Sequence, residues 1–391
     1  MKTRILLLAF LLLATALSAQ IPFMQQPDWN DVLRQAKKEN KFIFLDAYTE
    51  WCSWCKTMDK NTFPDSAVVQ FMNKHFVCVK MEMETDFGVA LAMKYRVFGF
   101  PSFLVFAIDG RFVGRMLGYK KPDEFIAAVN EVLSTPQKDY PKGITGKIEL
   151  PFPDFYRNVF IEGKRTKNYP DTATVLNFLA EQEDLSSEVA WSVLYRFNRY
   201  ASRYDDWIIQ NAARLKELYG AQEVENVFNT LIGRRFQSVV QRKDEAALQN
   251  EIFPLIEQYM PEEAAQTKTQ YKISYYSKLG EYARALGALK ELKQIKGAEF
   301  AASANELCWN VYEKCNDENA LHTAALIMED VTEKEPEYAY LDTYAALLFK
   351  IKDYAQAEKF AGKAIEQGKK ENQDVKETEQ LLAKIKEATA R

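Results

Sequence analysis

Cysteine is scarce in this chain, with five in 391 residues, which excludes a small disulfide-stapled scaffold. Glycine and proline are also sparse, at 15 and 13, which excludes collagen-like and low-complexity sequences. No charge of one sign dominates: the formal net charge is −4, and nothing in it calls for a nucleic-acid surface. Only two histidines occur, so imidazole metal sites are short of ligands. Long apolar runs are missing after residue 17, so no later segment is expected to cross a bilayer. What is present is 47% hydrophobic residues, ample for packed cores, in a length that suggests two or three domains at roughly 150 residues each.

The one long apolar stretch lies at the start. Lys2 and Arg4 precede Ile5–Leu17, followed by the small residues Ser18 and Ala19. A basic start, a short apolar run and a small-residue exit describe a secretory signal peptide. Thirteen helical residues span about 20 Å, short of the roughly 30 Å hydrocarbon core. The expectation is a leader over 1–19, cleaved after Ser18 or Ala19, and an exported product. That product would be periplasmic if the source is a Gram-negative bacterium, with no stable membrane insertion once the leader is removed. Disulfide chemistry is possible in such a compartment.

Two regions follow with different patterning. Over 20–140 strand and helix signals alternate. Asp28–Asn40 is helical in spacing; Phe42–Leu45 is a continuous apolar run of the kind buried on both faces; Phe76–Glu84 alternates strictly. Ser102–Ile108 and Arg111–Leu117 flank Asp109-Gly110, a two-residue hairpin signal, and Pro122–Leu133 is helical again. The order helix, strand, helix, strand, helix, hairpin, helix predicts an α/β domain with a mixed sheet flanked by helices.

From about residue 150 the strand signals fade. Thr172–Gln182, Ser187–Tyr200, Asp205–Tyr219 and Gln222–Phe236 are all helical in spacing. Near the end Ala285, Ala320 and Ala357 follow turn-like segments at intervals of 35 and 37 residues, near the 34-residue period of tetratricopeptide hairpins. Tyr344, Ala345, Leu348, Tyr354, Ala357, Ala361 and Ala364 resemble that pattern best. Ile273 departs from it, and Cys315-Asn316-Asp317 lacks its glycine and tyrosine. The expected division is 1–19 leader, 20–140 α/β domain, 141–270 helical region and 271–391 tetratricopeptide-like, all-α repeats.

The chemistry concentrates at Trp51-Cys52-Ser53-Trp54-Cys55. A Cys-x-x-Cys pair is either half of a zinc site or a redox pair. For zinc the remaining ligands are thin: His75, His322, Cys78, Cys308 and Cys315 offer no second close pair, so no metal is expected. For redox the context is better. Cys52 lies just past the buried strand and at the start of a helix, where backbone N–H groups and the helix dipole favour an anion. Thiols so placed can fall from a pKa of about 8.5 toward roughly 3.5–7.5, which makes Cys52 the expected nucleophile and Cys55 the resolving thiol.

The run Phe44-Leu45-Asp46-Ala47-Tyr48-Thr49-Glu50-Trp51-Cys52-Ser53-Trp54-Cys55-Lys56 resembles the active-site strand and helix of the thioredoxin superfamily. Lys56–Phe63 is similar to the exported branch that includes the carboxy-terminal domain of the DsbD electron carrier. The resemblance covers about residues 28–135. It implies a thioredoxin fold and a proton acceptor for Cys55 at Asp46, six residues before the first cysteine. It also implies a neighbouring lysine at Lys80, while a purely structural Asp46–Lys80 contact is the alternative. Tyr95–Leu104 resembles the segment that carries a cis-proline opposite the cysteines. The resemblance therefore assigns Phe100 and Pro101, with Trp51 beside the pair, to substrate contact.

The function expected is a thiol-disulfide oxidoreductase that reduces or isomerises protein disulfides without a cofactor. Its partners would be protein thiols and disulfides, an unidentified redox partner and a protein client on the helical domain, with no nucleic acid. The alternative is a helical-repeat interaction factor in which the redox pair is secondary.

Overall fold

The computed structural model describes residues 20–161, 169–295 and 299–390; the leader expected over 1–19 lies outside the described residues. The chain divides into two compact units, the first ending at Leu231 and the second running Ile232–Arg391. The expected boundaries at 140 and 270 therefore fall inside the first and second units.

The first unit is built on a five-stranded mixed sheet in the order β1-β3-β2-β4-β5, comprising Met24–Gln25 (β1), Phe42–Tyr48 (β2), Phe76–Glu82 (β3), Ser102–Phe106 (β4) and Phe112–Leu117 (β5). β2 pairs parallel with β3 and antiparallel with β4, so it is central and its apolar run is covered on both faces. Helix α1 (Trp29–Glu39) begins at Asp28, whose side chain accepts from Asn30 N–H, and ends at Asn40 in the left-handed conformation. Both are favoured residue types for those positions.

Between β2 and β3 the sequence pattern suggested one helix, and the structure has two, α2 (Ser53–Asn61) and α3 (Ser66–His75). Pro64 and the N-cap Asp65, which accepts from Ala67 and Val68 N–H, account for the break. Phe44, Phe103 and Val105 on one sheet face pack with Met58, Met72, Phe125 and Val129 from α2, α3 and α5 (Pro122–Leu133) and with Phe63 from the α2–α3 connection. On the opposite face, Phe106 meets the rings of Trp29 and Tyr95 at 5.0 and 5.2 Å.

Two local expectations are corrected. β3 alternates in sequence, yet Phe76, Val77, Cys78 and Val79 are all buried, because helices cover both faces of the sheet. The β4–β5 connection is longer than two residues. Ala107 N–H donates to Arg111 O at 2.8 Å, Gly110 takes φ +86°, and a register shift falls at Val105/Phe106.

Helix α4 (Asp86–Tyr95) is buried on all sides from Gly88 to Tyr95. The remainder of the first unit is helical, with α6 (Thr172–Ala180), α7 (Glu188–Phe197), α8 (Asp205–Tyr219) and α9 (Ala221–Arg242), which contains the division. The second unit is helical throughout its described residues. Its regular part comprises three helix pairs, Ala264–Lys278 with Tyr282–Leu292, Phe300–Lys314 with Glu318–Lys334, and Tyr338–Lys350 with Tyr354–Lys370, followed by Lys376–Thr389. Ala285, Ala320 and Ala357 are all buried, as close helix approach requires. Asp317 caps the second helix of the middle pair through Ala320 N–H, which compensates for the turn's lack of glycine.

Candidate functional site

Past the end of β2 the chain turns through Thr49–Trp51, and Cys52 N–H donates to Thr49 O at 3.1 Å. Cys52 is the N-cap of α2: its Sγ accepts from Cys55 N–H at 3.0 Å. The two sulfurs are bonded at 2.07 Å, with Cα atoms 5.3 Å apart. Both cysteines are nearly buried, at 4% and 5% exposure.

Asp46 stands opposite Lys80 in the β2–β3 register, and its Oδ2 lies 3.3 Å from Lys80 Nζ. Oδ1 is buried with no hydrogen-bond partner. Burial pushes the Asp46 carboxyl up to about 7, with the Lys80 ammonium opposing the shift and the Asp59 carboxylate adding to it. Burial pulls Lys80 down, but the carboxylates of Asp46 and Asp59 outweigh it and hold the ammonium above its ordinary value. The Lys80–Asp59 ion pair joins α2 to β3. Asp59 was missed in the sequence; its signal is the spacing, one helical turn after Cys55.

The Phe100–Pro101 peptide bond is cis, Pro101 leads directly into β4, and Pro101 O accepts from Gly118 N–H at 2.9 Å. The Phe100 ring meets Trp51 edge-on at 5.9 Å, and Trp51 Nε1 donates to Glu84 at 3.0 Å. Trp54 packs on Tyr119 at 5.5 Å. Trp51, Trp54 and Leu117 are three of the four exposed large hydrophobics among the described residues. Trp51 and Trp54 flank the disulfide directly. Leu117 pairs with Ser102, next to Pro101.

The segment leading to Phe100 is anchored by later helices, an arrangement that no local sequence pattern indicates. Lys94 Nζ bonds Glu188 of α7 at 2.6 Å, and the Arg96 guanidinium holds Glu223 of α9 at 2.9 Å, all four residues being buried. Arg115 reaches the same Glu223 at 3.2 Å and donates to the carbonyls of Tyr95 and Arg96.

The remaining cysteines take no part. Cys78 is buried in β3, its thiol pushed up by burial; Cys308 and Cys315 are buried and unbonded in the second unit. Among the described residues no group of three or more His, Cys, Asp or Glu could hold a metal ion, and no helix is long and apolar enough to cross a membrane.

With that geometry in view, the likenesses to known proteins fall on the same part of the chain. The family model Thioredox_DsbH, described as a protein of unknown function, DUF255, matches residues 17–94, about a fifth of the sequence. The thiol:disulfide interchange protein DsbD of Pseudoalteromonas atlantica is 28% identical over 109 residues, covering 27% of this chain and 18% of that protein. DsbD of Colwellia psychrerythraea is 30% identical over 106 residues, covering 26% and 17%. The oxidised carboxy-terminal domain of Neisseria meningitidis DsbD is 26% identical, covering 28% of this chain and 98% of that one, with a TM-score of 0.25. The matched stretch thus spans less than a fifth of the curated relatives' length. The amino-terminal region is a thioredoxin-like domain of the DsbD/DsbH type. The Cys52–Cys55 bond lies within the stretch that these likenesses cover.

Proposed function

We propose that the protein is an exported oxidoreductase that reduces or isomerises protein disulfides through Cys52 and Cys55. The observation that carries this reading is a disulfide whose first sulfur caps a helix amino terminus, beside exposed Trp51 and the Phe100–Pro101 segment. In the reducing direction the Cys52 thiolate attacks one sulfur of the client disulfide. A Cys52–client mixed disulfide forms and the other client sulfur leaves as thiolate. Cys55 then loses its proton, for which Asp46 is the proposed acceptor, and attacks Cys52 Sγ. The second client thiolate leaves, and Cys52–Cys55 is oxidised. A thiol partner returns the pair to its reduced state.

Trp51, Phe100 and Pro101 form the proposed peptide contacts, with Lys80 adjusting the Asp46 carboxyl. The test is turnover of a disulfide-bonded model protein with dithiothreitol. Cys52→Ala is expected to abolish catalysis and Cys55→Ala to accumulate mixed disulfides. Undiminished turnover by both variants would end the proposal.

A second reading concerns the second unit. Its three helix pairs with buried alanines support a tetratricopeptide-like module that holds a protein client. Removal of 232–391 is then expected to lower activity on native clients while leaving activity on a short disulfide peptide intact. Equal rates on both substrates would remove the client role.

A further inference from the structure

A cavity of about 370 Å³ opens in the first unit and shares Phe98 with the segment that carries Phe100 and Pro101. Its other principal walls are Tyr169, Tyr195, Arg196, Arg199 and Asn226, and among the described residues lining it there is no Asp or Glu. The Arg196 guanidinium stacks on the Phe98 ring at 4.3 Å, and its Nε is buried with no hydrogen-bond partner. Arg199 stacks on Tyr169 at 4.8 Å and, among the described residues, donates to the Tyr200 hydroxyl at 2.8 Å. Asn226 donates to the Tyr195 hydroxyl at 3.3 Å.

Other arginines of the same unit are neutralised by carboxylates, Arg96 and Arg115 by Glu223 and Arg214 by Asp184. The cavity therefore holds two cationic side chains, aromatic faces and an orphaned buried N–H. A buried donor without an acceptor carries a desolvation cost that a ligand oxygen removes, and guanidinium forks match carboxylates.

The position restricts what the ligand is. Phe98 and Pro101 are three residues apart, so their Cα atoms lie within about 11 Å. A peptide lying extended along Phe100 and Pro101 and running toward Phe98 advances roughly 3.3 Å per residue, so it covers that separation in about four residues. We propose that the cavity binds a carboxylate of the polypeptide presented to Cys52, an acidic side chain two to four residues from the reacting cysteine or a terminal carboxylate at that distance. This proposal rests on the thiol-disulfide reading for its substrate.

The test uses the full chain carrying Cys52→Ser and Cys55→Ser, titrated calorimetrically with ten-residue peptides that have serine at the reacting position. One peptide has Glu three residues away, one has Gln there, and a third ends there in a free carboxylate. The Glu or terminal-carboxylate peptide is expected to bind about tenfold tighter than the Gln peptide, with the ratio shrinking as salt rises. Arg196→Gln and Arg199→Gln, made separately, are expected to collapse the ratio, and Arg214→Gln to keep it. Equal binding of all three peptides, or a ratio untouched by both cavity variants, overturns the proposal. Disulfide versions of the peptides, given to the unsubstituted protein, separate the two readings. Turnover without charge preference removes the carboxylate site and keeps the oxidoreductase; charge-selective binding without turnover does the reverse.

Discussion

Asp46 is a carboxyl placed where ionisation is costly. It sits in the central strand with one oxygen unpartnered, and burial lifts it to about 7. The unfolded chain would ionise it near its ordinary value of 3.8. Between those two values the folded state binds a proton that the unfolded state has lost, so folding stability falls as pH rises and levels off above about 7. Asp46→Asn is therefore expected to stabilise the oxidised protein at pH 8 and to be nearly neutral at pH 4, as measured by the denaturant midpoint of the first unit's transition. A difference independent of pH would show that this carboxyl does not titrate in the folded state as described. The cysteines were legible from their place at a helix start, whereas Asp46 and Lys80 were singled out only through the resemblance to the thioredoxin superfamily. Asp59 was not read, since its role depends on α2 packing across β3, and local pattern carries no information about that.

At the scale of elements, α4 shows what local pattern conceals. A Cβ on Gly88 would meet Glu82 O at 2.1 Å, so only glycine lets the first turn of α4 rest on the end of β3. At its other end Lys94 and Arg96 would be taken for solvent-facing residues in any periodicity analysis. They are buried because their partners lie about a hundred residues further on, in α7 and α9. Glu223→Gln would leave two guanidinium groups, Arg96 and Arg115, without their common counter-charge. Loss of one partner of a buried pair costs about 3–5 kcal/mol. The expected outcome is a large drop in the first unit's denaturant midpoint, whereas Glu217→Gln, at the exposed pair with Lys142, should leave it unchanged. Comparable midpoints for the two variants would show that the buried network contributes nothing special. The helices and most strands were readable from apolar spacing. The two-residue β1 and the break at Pro64 were not, the first being too short to carry a period and the second a single residue inside a helical pattern.

The whole molecule follows from those ion pairs. The shift from mixed to purely helical patterning near residue 150 suggests a domain boundary, yet the first compact unit continues to Leu231. Composition marks where strands stop; it does not mark where burial stops. A chain ending at residue 140 leaves Lys94 and Arg96 without Glu188 and Glu223, and exposes the outer face of α4. Such a chain is expected to unfold at a clearly lower urea concentration than one ending at 231, by circular dichroism, and equal midpoints would make the later helices dispensable. Arg96 supplies a left-handed helix cap at φ +54°, a fork for Glu223 and a carbonyl for Arg115. Removing residues 141–231 takes away both the counter-charges and the cover of Lys94 and Arg96, so the cations become solvated and the cost falls on the apolar side chains of α4. A chain reduced to the sheet domain can therefore keep its charges at 94 and 96, and what it must replace is the apolar surface of Val89, Leu91 and Met93 beside them.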